Sequence, residues 1–313
     1  MIETVLEGVF AAAGCRGMLA VLEIDGPGQV SICGDGLAVA ASSFKIAVGL
    51  ELFCRHAAGE VDLDERLRLL PEQRTPGGQG FCLFEDEVDV SLRDAARMML
   101  TISDNTATDA VIRRIGSERV TARLRALGLE RTEFSSTVQG LFDAIGRATG
   151  LANFAELIRA FDQTGSPQEA GDLRRRYFEA CSPLSGSRSN TTTAQEMARL
   201  VRLIWRDEAG PAQACSALRT MMSQQKLTRK LANGFADDVR VATKSGTIAG
   251  LVSNDVGAVL YPDGRRYAVA VLTEALVPGS ADHEADTAIG TAARLAVEHL
   301  QAGDTAKEQY AVA

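Results

Sequence analysis

The order of segments along the chain predicts an α/β fold. An antiparallel sheet with flanking helices is built from both chain ends, and an all-α lobe is inserted between them. Segments with two-residue apolar alternation gather near the N-terminus and again after residue 236, whereas the interval between reads mostly as helix. No repeat, low-complexity run or linker divides the chain, so both kinds of segment belong to one domain across 1–313. The sheet lobe is expected from about 1–41 and 236–303, and the helical lobe from about 42–235.

The elements follow in order. "MIETVLEGVFAAAGCRG" reads as an amphipathic helix carrying Glu3 and Glu7. "MLAVLEI" (18–24) and "QVSICG" (29–34) alternate, and Asp25-Gly26-Pro27-Gly28 joins them as a hairpin. A helix follows from Ser42. In "VSLRDAARMML" (90–100), Ser91 and Asp94 stand at capping-box spacing before helical apolar periodicity. Helices are predicted at 106–115 and 117–127, closed by Gly116 and Gly128. The stretch 141–180 reads as more helix, interrupted at "DQTGSPQEAGD". "TTTAQEMARLVRLIW" (191–205) is a helix with a threonine cap. "DVRVATKSGT", "NDVGAVLY" and "RRYAVAVLT" then show strand periodicity, with Pro262-Asp263-Gly264 turning between the last two. "SADHEADTAIGTAARLAVEHL" closes with a helix, and the tail after Gly303 is expected to be loose.

Apolar residues make up 46% and charged residues 24% of the 313, the balance of a soluble globular protein. A formal charge of −8 argues against nucleic acid or an anionic membrane as partner. No apolar run approaches the length of a membrane span. The first residues lack a basic start followed by a long apolar stretch, so they predict no secretory signal and a cytoplasmic location. Six cysteines, at 15, 33, 54, 82, 181 and 215, include no C-x-x-C pair and are expected as reduced thiols. His56, His283 and His299 sit in no motif, which leaves a Ser-His-Asp triad and a zinc site unsupported. No cofactor is expected.

"AVAASSFKIAVGLELF" (38–53) puts Lys45 three residues after Ser42 where an apolar helix begins, so the two share a helix face. Ser42 could cap a core helix while Lys45 reaches out to water. Alternatively, burial weakens the amine's hold on its proton and lets it serve as base to the serine hydroxyl. Two further stretches bear on this choice. "LTISDNTATDAV" places Ser103-Asp104-Asn105 between two helices, and "VATKSGTIAG" places Lys244-Ser245-Gly246-Thr247 at the end of a strand. Each alone has an ordinary structural explanation. The order S-x-x-K, S-D-N, K-S/T-G is the signature of serine acyl-enzymes of the β-lactamase type.

On these residues the chain resembles class A β-lactamase-like serine hydrolases, of the β-lactamase and penicillin-binding protein superfamily. The resemblance runs over nearly its whole length, through "SSFK", "SDNTATDAVIRRIG", "TTTAQEMARL", "KSGT" and "SNDVGAVLYPDGRRYAVAV". It implies that Ser42 attacks a carbonyl and becomes acylated, with Lys45 in the proton transfer. Ser103 would relay a proton to the leaving nitrogen, and Asn105 would hold the acyl amide. Lys244 would polarise that relay and, with Ser245 and Thr247 around Gly246, face a substrate carboxylate. The N–H groups of Ser42 and Thr247 would form the oxyanion hole. Asp104 would be structural.

Two departures qualify the resemblance. No E-x-x-L-N segment occurs, so the glutamate that activates the deacylating water has no counterpart by motif. An extended region, 137–190, stands in its place. Glu179 is the nearest acid counting back from Thr191, either as a water-activating residue or as an exposed glutamate near a helix end. Before Asn254 an arginine is frequent in such enzymes, but here Ser253 stands there, with Arg229 or Lys230 as substitute cations. The acylation residues are therefore complete and the deacylation residues are not evident. The expected activity is hydrolysis of a lactam, amide or ester through an acyl-enzyme, with weak lactamase turnover. A cytoplasmic acyltransferase or transpeptidase-like enzyme acting on a small metabolite is one alternative, and a penicillin-binding-like module without turnover is the other.

Overall fold

The computed structural model describes residues 2–134, 136–182, 190–280 and 282–311, the stretch 304–311 as backbone only. Helix α1 (Ile2–Ala12) leads into β1 (Cys15–Glu23), β2 (Gln29–Ile32) and a two-residue β3 (Ala38–Val39). A single 3-10 turn, Ala41–Phe44, opens α2 (Lys45–Ala57). Strands β4 (Arg66–Leu69) and β5 (Val88–Ser91) pair with each other ahead of α3 (Leu92–Thr101), α4 (Asn105–Ile115) and α5 (Ser117–Ala126). Three helices lie in the extended region: α6 (Val138–Ala148), α7 (Phe154–Asp162) and α8 (Pro167–Cys181). Then come β6 (Thr191–Thr192), α9 (Ala194–Trp205), α10 (Ala212–Met222), β7 (Arg240–Ile248), β8 (Val252–Leu260), β9 (Arg266–Ala275) and α11 (Asp282–Ala311).

The main sheet has the order β2-β1-β9-β8-β7, antiparallel throughout, so strands from the two chain ends meet at its centre. Leu19 pairs with Val271 at that junction. Alternation in β1 sends Leu19 and Val21 to one face, where they pack with Leu6 and Phe10 of α1 and Ile289 and Ala293 of α11. Met18, Ala20 and Leu22 face the other way, into the core shared with α2, α3 and α9. Helices cover the sheet on both sides, so β9 reads as a near-continuous apolar run and β8 is buried along its length, Ser253, Asn254 and Asp255 included.

Helix α2 is the centre of the large core, with every residue from Lys45 to Cys54 buried. A helix apolar all round belongs inside a protein, yet this one takes Lys45 and Glu51 inside with it. Glu51 is met by the Arg123 guanidinium.

Local signals that have a side-chain mechanism appear in the structure as the sequence predicts. Ser91 caps α3, accepting from Asp94 N at 3.1 Å. The threonine cap of α9 is Thr193, which accepts from Glu196 N at 3.1 Å. Thr191 and Thr192, placed in that helix by the sequence, instead form β6 and pair with β3 (Ala38 opposite Thr192). Two-residue strands carry no periodicity to read. Helix α11 runs on to Ala311, past the expected end of helix near residue 300. No helix among the described residues is long and apolar enough to cross a membrane.

Candidate active site

The nucleophile candidate sits on a constrained turn. Ala41 has φ 44°, the left-handed region that residues with a Cβ avoid, and Ser42 follows it in the 3-10 turn. Three bonds hold this turn. Asn254 of β8 donates through Nδ2 to the carbonyls of Val39 (2.9 Å) and Ala40 (3.3 Å), and Ser43 donates its hydroxyl to Ala40 O at 2.6 Å. Asn254 is wholly buried, so its amide serves this junction and not solvent.

Lys45 is fully buried at the start of α2. Its Nζ lies 2.7 Å from Ser103 O, 3.1 Å from Ser103 Oγ and 2.8 Å from Asn105 Oδ1. Burial lowers the amine's proton affinity to about 7, against the pull of the Asp104 and Asp109 carboxylates. The water-facing alternative for Lys45 is thereby excluded.

The S-D-N segment forms the junction of α3 and α4. Ser103 has φ 64°, a second left-handed residue, which aims its carbonyl and its hydroxyl together at Lys45. Asp104 caps α4 by accepting from Ala107 N at 3.0 Å, and its other oxygen accepts from Phe81 N at 2.7 Å. Burial raises its pKa against those backbone donors. Asn105 donates to Pro76 O at 2.8 Å, which fixes its amide so that Oδ1 faces Lys45.

Strand β7 supplies the opposite wall. A Cβ on Gly246 would stand 2.8 Å from Ser42 N, so only glycine lets this strand lie against the Ser42 turn. Lys244 is fully buried and donates to Ser245 O at 2.6 Å. Burial first, then repulsion from Lys45 and Lys230, holds its pKa well below the lysine range, with Asp255 opposing. Beyond Thr247 lies a pocket of about 110 Å³ lined by Arg229, Lys230, Ser245, Thr247, Asp282 and Asp286 among others.

Ser42, Lys45, Ser103, Asn105, Lys244, Ser245, Gly246 and Thr247 thus converge from three stretches of chain. Glu179 stands apart from them. It is exposed on α8 and lines a groove of about 460 Å³ with Arg174, Phe178, Leu251 and Leu276. The segment beside the nucleophile turn is instead 134–142, marked by the Phe44 and Phe134 rings 5.2 Å apart, and it contains no acid. Asp109, which acts electrostatically on Lys45, accepts from Val138 N (2.6 Å), Gln139 N (2.9 Å) and Thr75 Oγ1 (2.7 Å). Its carboxylate anchors the start of α6.

Asn254, Asp255, Asp109 and Asp286 were not singled out from the motifs. A signal for the first two is present: adjacent polar residues inside the apolar run "VSNDVGAVL" have to be bonded internally. Asp109 and Asp286 lie in helices where an acid is unremarkable.

The antiparallel sheet from both chain ends, with S-x-x-K, S-D-N and K-S-G brought together beside it, is an arrangement of the β-lactamase type. The chain belongs to the β-lactamase enzyme family, whose model matches residues 1–300. It is 27% identical over 274 residues to the β-lactamase regulatory protein BlaB of Streptomyces cacaoi, covering 83% of this chain and 85% of that protein. A β-lactamase from Sphaerobacter thermophilus has the same fold, with a TM-score of 0.75 at 23% identity over 96% of this chain and 97% of that one. PBP-A also shares it, with a TM-score of 0.72 at 20% identity over 96% of each chain.

Proposed function

We propose that the protein is a serine hydrolase that opens a lactam, amide or ester through an acyl-enzyme on Ser42 and deacylates slowly. The observation that carries this reading is the buried Lys45 amine within hydrogen-bond distance of Ser103 Oγ. An amine with a pKa of about 7 offers a lone pair at neutral pH, which a surface lysine does not. In this reading Lys45 takes the Ser42 proton as Oγ attacks the carbonyl. The developing oxyanion meets the N–H groups of Ser42 and Thr247, each commonly worth about 3–4 kcal/mol in such a site. The proton then passes from Lys45 to Ser103 Oγ and on to the departing nitrogen or oxygen as the acyl bond breaks. Asn105 holds the acyl amide.

The substrate is a small molecule whose carboxylate faces Ser245, Thr247 and Arg229. Lys230 is less suited to that task, because its three N–H bonds go to Gly246 O (2.9 Å), Thr247 Oγ1 (2.8 Å) and Asn254 O (3.3 Å). Slow deacylation rests on the acid-free segment 134–142 and on the engagement of Asp104 and Asp109 by backbone donors.

Incubation with nitrocefin and with an activated ester, followed by intact mass, tests the reading. It predicts a covalent adduct formed faster than product accumulates. A protein that turns over neither compound and gains no mass would overturn it for these substrate classes. A second reading, in which the acyl adduct is a signal and not an intermediate, is favoured by the name of the BlaB relative. It predicts an adduct stable for hours.

A further inference from the structure

Behind the K-S-G strand a line of buried charges leads from the site to α11. Gly234 and Gly290 allow α11 to approach closely, since a Cβ on Gly290 would stand 2.7 Å from Lys230 O and 2.8 Å from Gly234 N. That approach sets Asp286, one turn earlier on α11, 3.7 Å from Lys230 Nζ. The same carboxylate accepts from Ser253 Oγ at 2.6 Å. Lys230 uses all three ammonium donors on β7 and β8, and two of them end on Gly246 and Thr247. Gly246 is where the strand lies against Ser42 N.

We propose that Asp286 is a positioning residue of the acylation site: it holds Lys230 as an ammonium, and Lys230 fixes the Gly246–Thr247 backbone opposite the nucleophile. The proposal rests on the acyl-enzyme reading above. A lysine that loses its proton keeps only two N–H donors, so one of the three bonds to the strands must go. Four charged groups face Lys230 from the elements packed on it: Asp286 and Asp282 from α11, Asp255 from β8, and Lys244 from β7, whose charge opposes the proton. Burial works against the proton and the carboxylates retain it, Asp286 most strongly. Because Lys230 already donates to Thr247 Oγ1, the Thr247 hydroxyl proton is free to be given to substrate.

The test measures acylation of Ser42 by a penicillin in wild type, Asp286→Asn, Asp286→Glu and Ser253→Ala. Backbone hydrogen exchange over 244–248 is read by mass spectrometry on the same proteins. In Asp286→Asn, acylation should slow about 10–100-fold at saturation with little change in the binding constant, as expected when reacting groups are misplaced. Its alkaline limb should move to lower pH, and exchange over 244–248 should rise about tenfold or more. Asp286→Glu should restore the rate to within about threefold of wild type. Ser253→Ala, which leaves the Lys230 contact, should also stay within about threefold. Acylation within about twofold of wild type in Asp286→Asn, with an unshifted pH profile, overturns the proposal. So does an equal loss in Ser253→Ala, or failure of Asp286→Glu to recover, since either marks a general structural role. If wild type takes no acyl group, the acyl-enzyme reading fails. Hydrogen exchange then decides alone, and unchanged exchange in Asp286→Asn overturns the clamp.

Discussion

Lys45 Nζ, itself fully buried, lies 3.1 Å from the hydroxyl of Ser103 and 2.7 Å from its carbonyl oxygen. The carbonyl can only accept, so it orients the amine. The hydroxyl can accept from it or donate to its lone pair. Acylation should therefore follow the neutral form of Lys45, and the sign is fixed by the direction of the shift. Burial lowers the folded value to about 7, so the neutral fraction, and with it the acylation rate, rises as pH increases through 7. Unfolded lysine keeps its proton to about 10.4, so between these values the unfolded chain binds more protons and folding stability also increases with pH. Stopped-flow acylation between pH 5 and 9 should show the rising limb. Lys45→Ala should slow acylation by about 10²–10⁴-fold or more, and an effect confined to KM would remove Lys45 from the proton path.

Ser103 combines strain with chemistry. A left-handed residue with a Cβ costs of order 1 kcal/mol, a cost glycine does not carry. Ser103→Gly should therefore hold or raise the melting temperature while acylation falls, because the relay hydroxyl is gone. Calorimetry beside acylation kinetics separates the two effects. A variant that loses stability would show that φ 64° is not strained here.

Gly246 tests the close approach of β7. Alanine would place its Cβ 2.8 Å from Ser42 N and 3.2 Å from Ala40 O, and the backbone of neither can rotate away. Gly246→Ala should reduce acylation by about 10²–10³-fold, the loss seen when an oxyanion donor is displaced. Labelling at the wild-type rate would contradict the assignment of the Ser42 and Thr247 amides.

Glu179 and the acid-free segment 134–142 bear on the second half of the reaction. Penicillin turnover should be weak, with a burst of acyl-enzyme followed by slow release. Glu179 stands exposed in a groove of α8 and the β9 end, so Glu179→Gln should leave release within about twofold of wild type. Pre-steady-state kinetics on both proteins reads this directly. Trapped acyl-enzyme in Glu179→Gln would make that residue the water activator after all.

The sequence made the central strands, the capped helices and the three motifs legible because each has a short-range cause. The apolar run at 18–24 comes from a strand buried on both faces, and Ser91 and Thr193 announce helices by bonds made within one turn. What escaped it depends on contacts between distant stretches. Strand β3 meets β6 across some 150 residues of chain, by pairs too short to show a period. The burial of Lys45 becomes visible only when α3, α4 and β7 close over α2. Asp286 is one of three acids at the start of α11, and nothing local marks it as the one that reaches Lys230.

The most direct test of the acyl-enzyme account is site-resolved labelling with a fluorophosphonate, read by intact mass and peptide mapping. Ser42 should carry the whole label, Ser42→Ala should carry none, and Ser43→Ala should label nearly as wild type, because the Ser43 hydroxyl is committed to Ala40 O at 2.6 Å. Labelling that persists in Ser42→Ala would contradict the account.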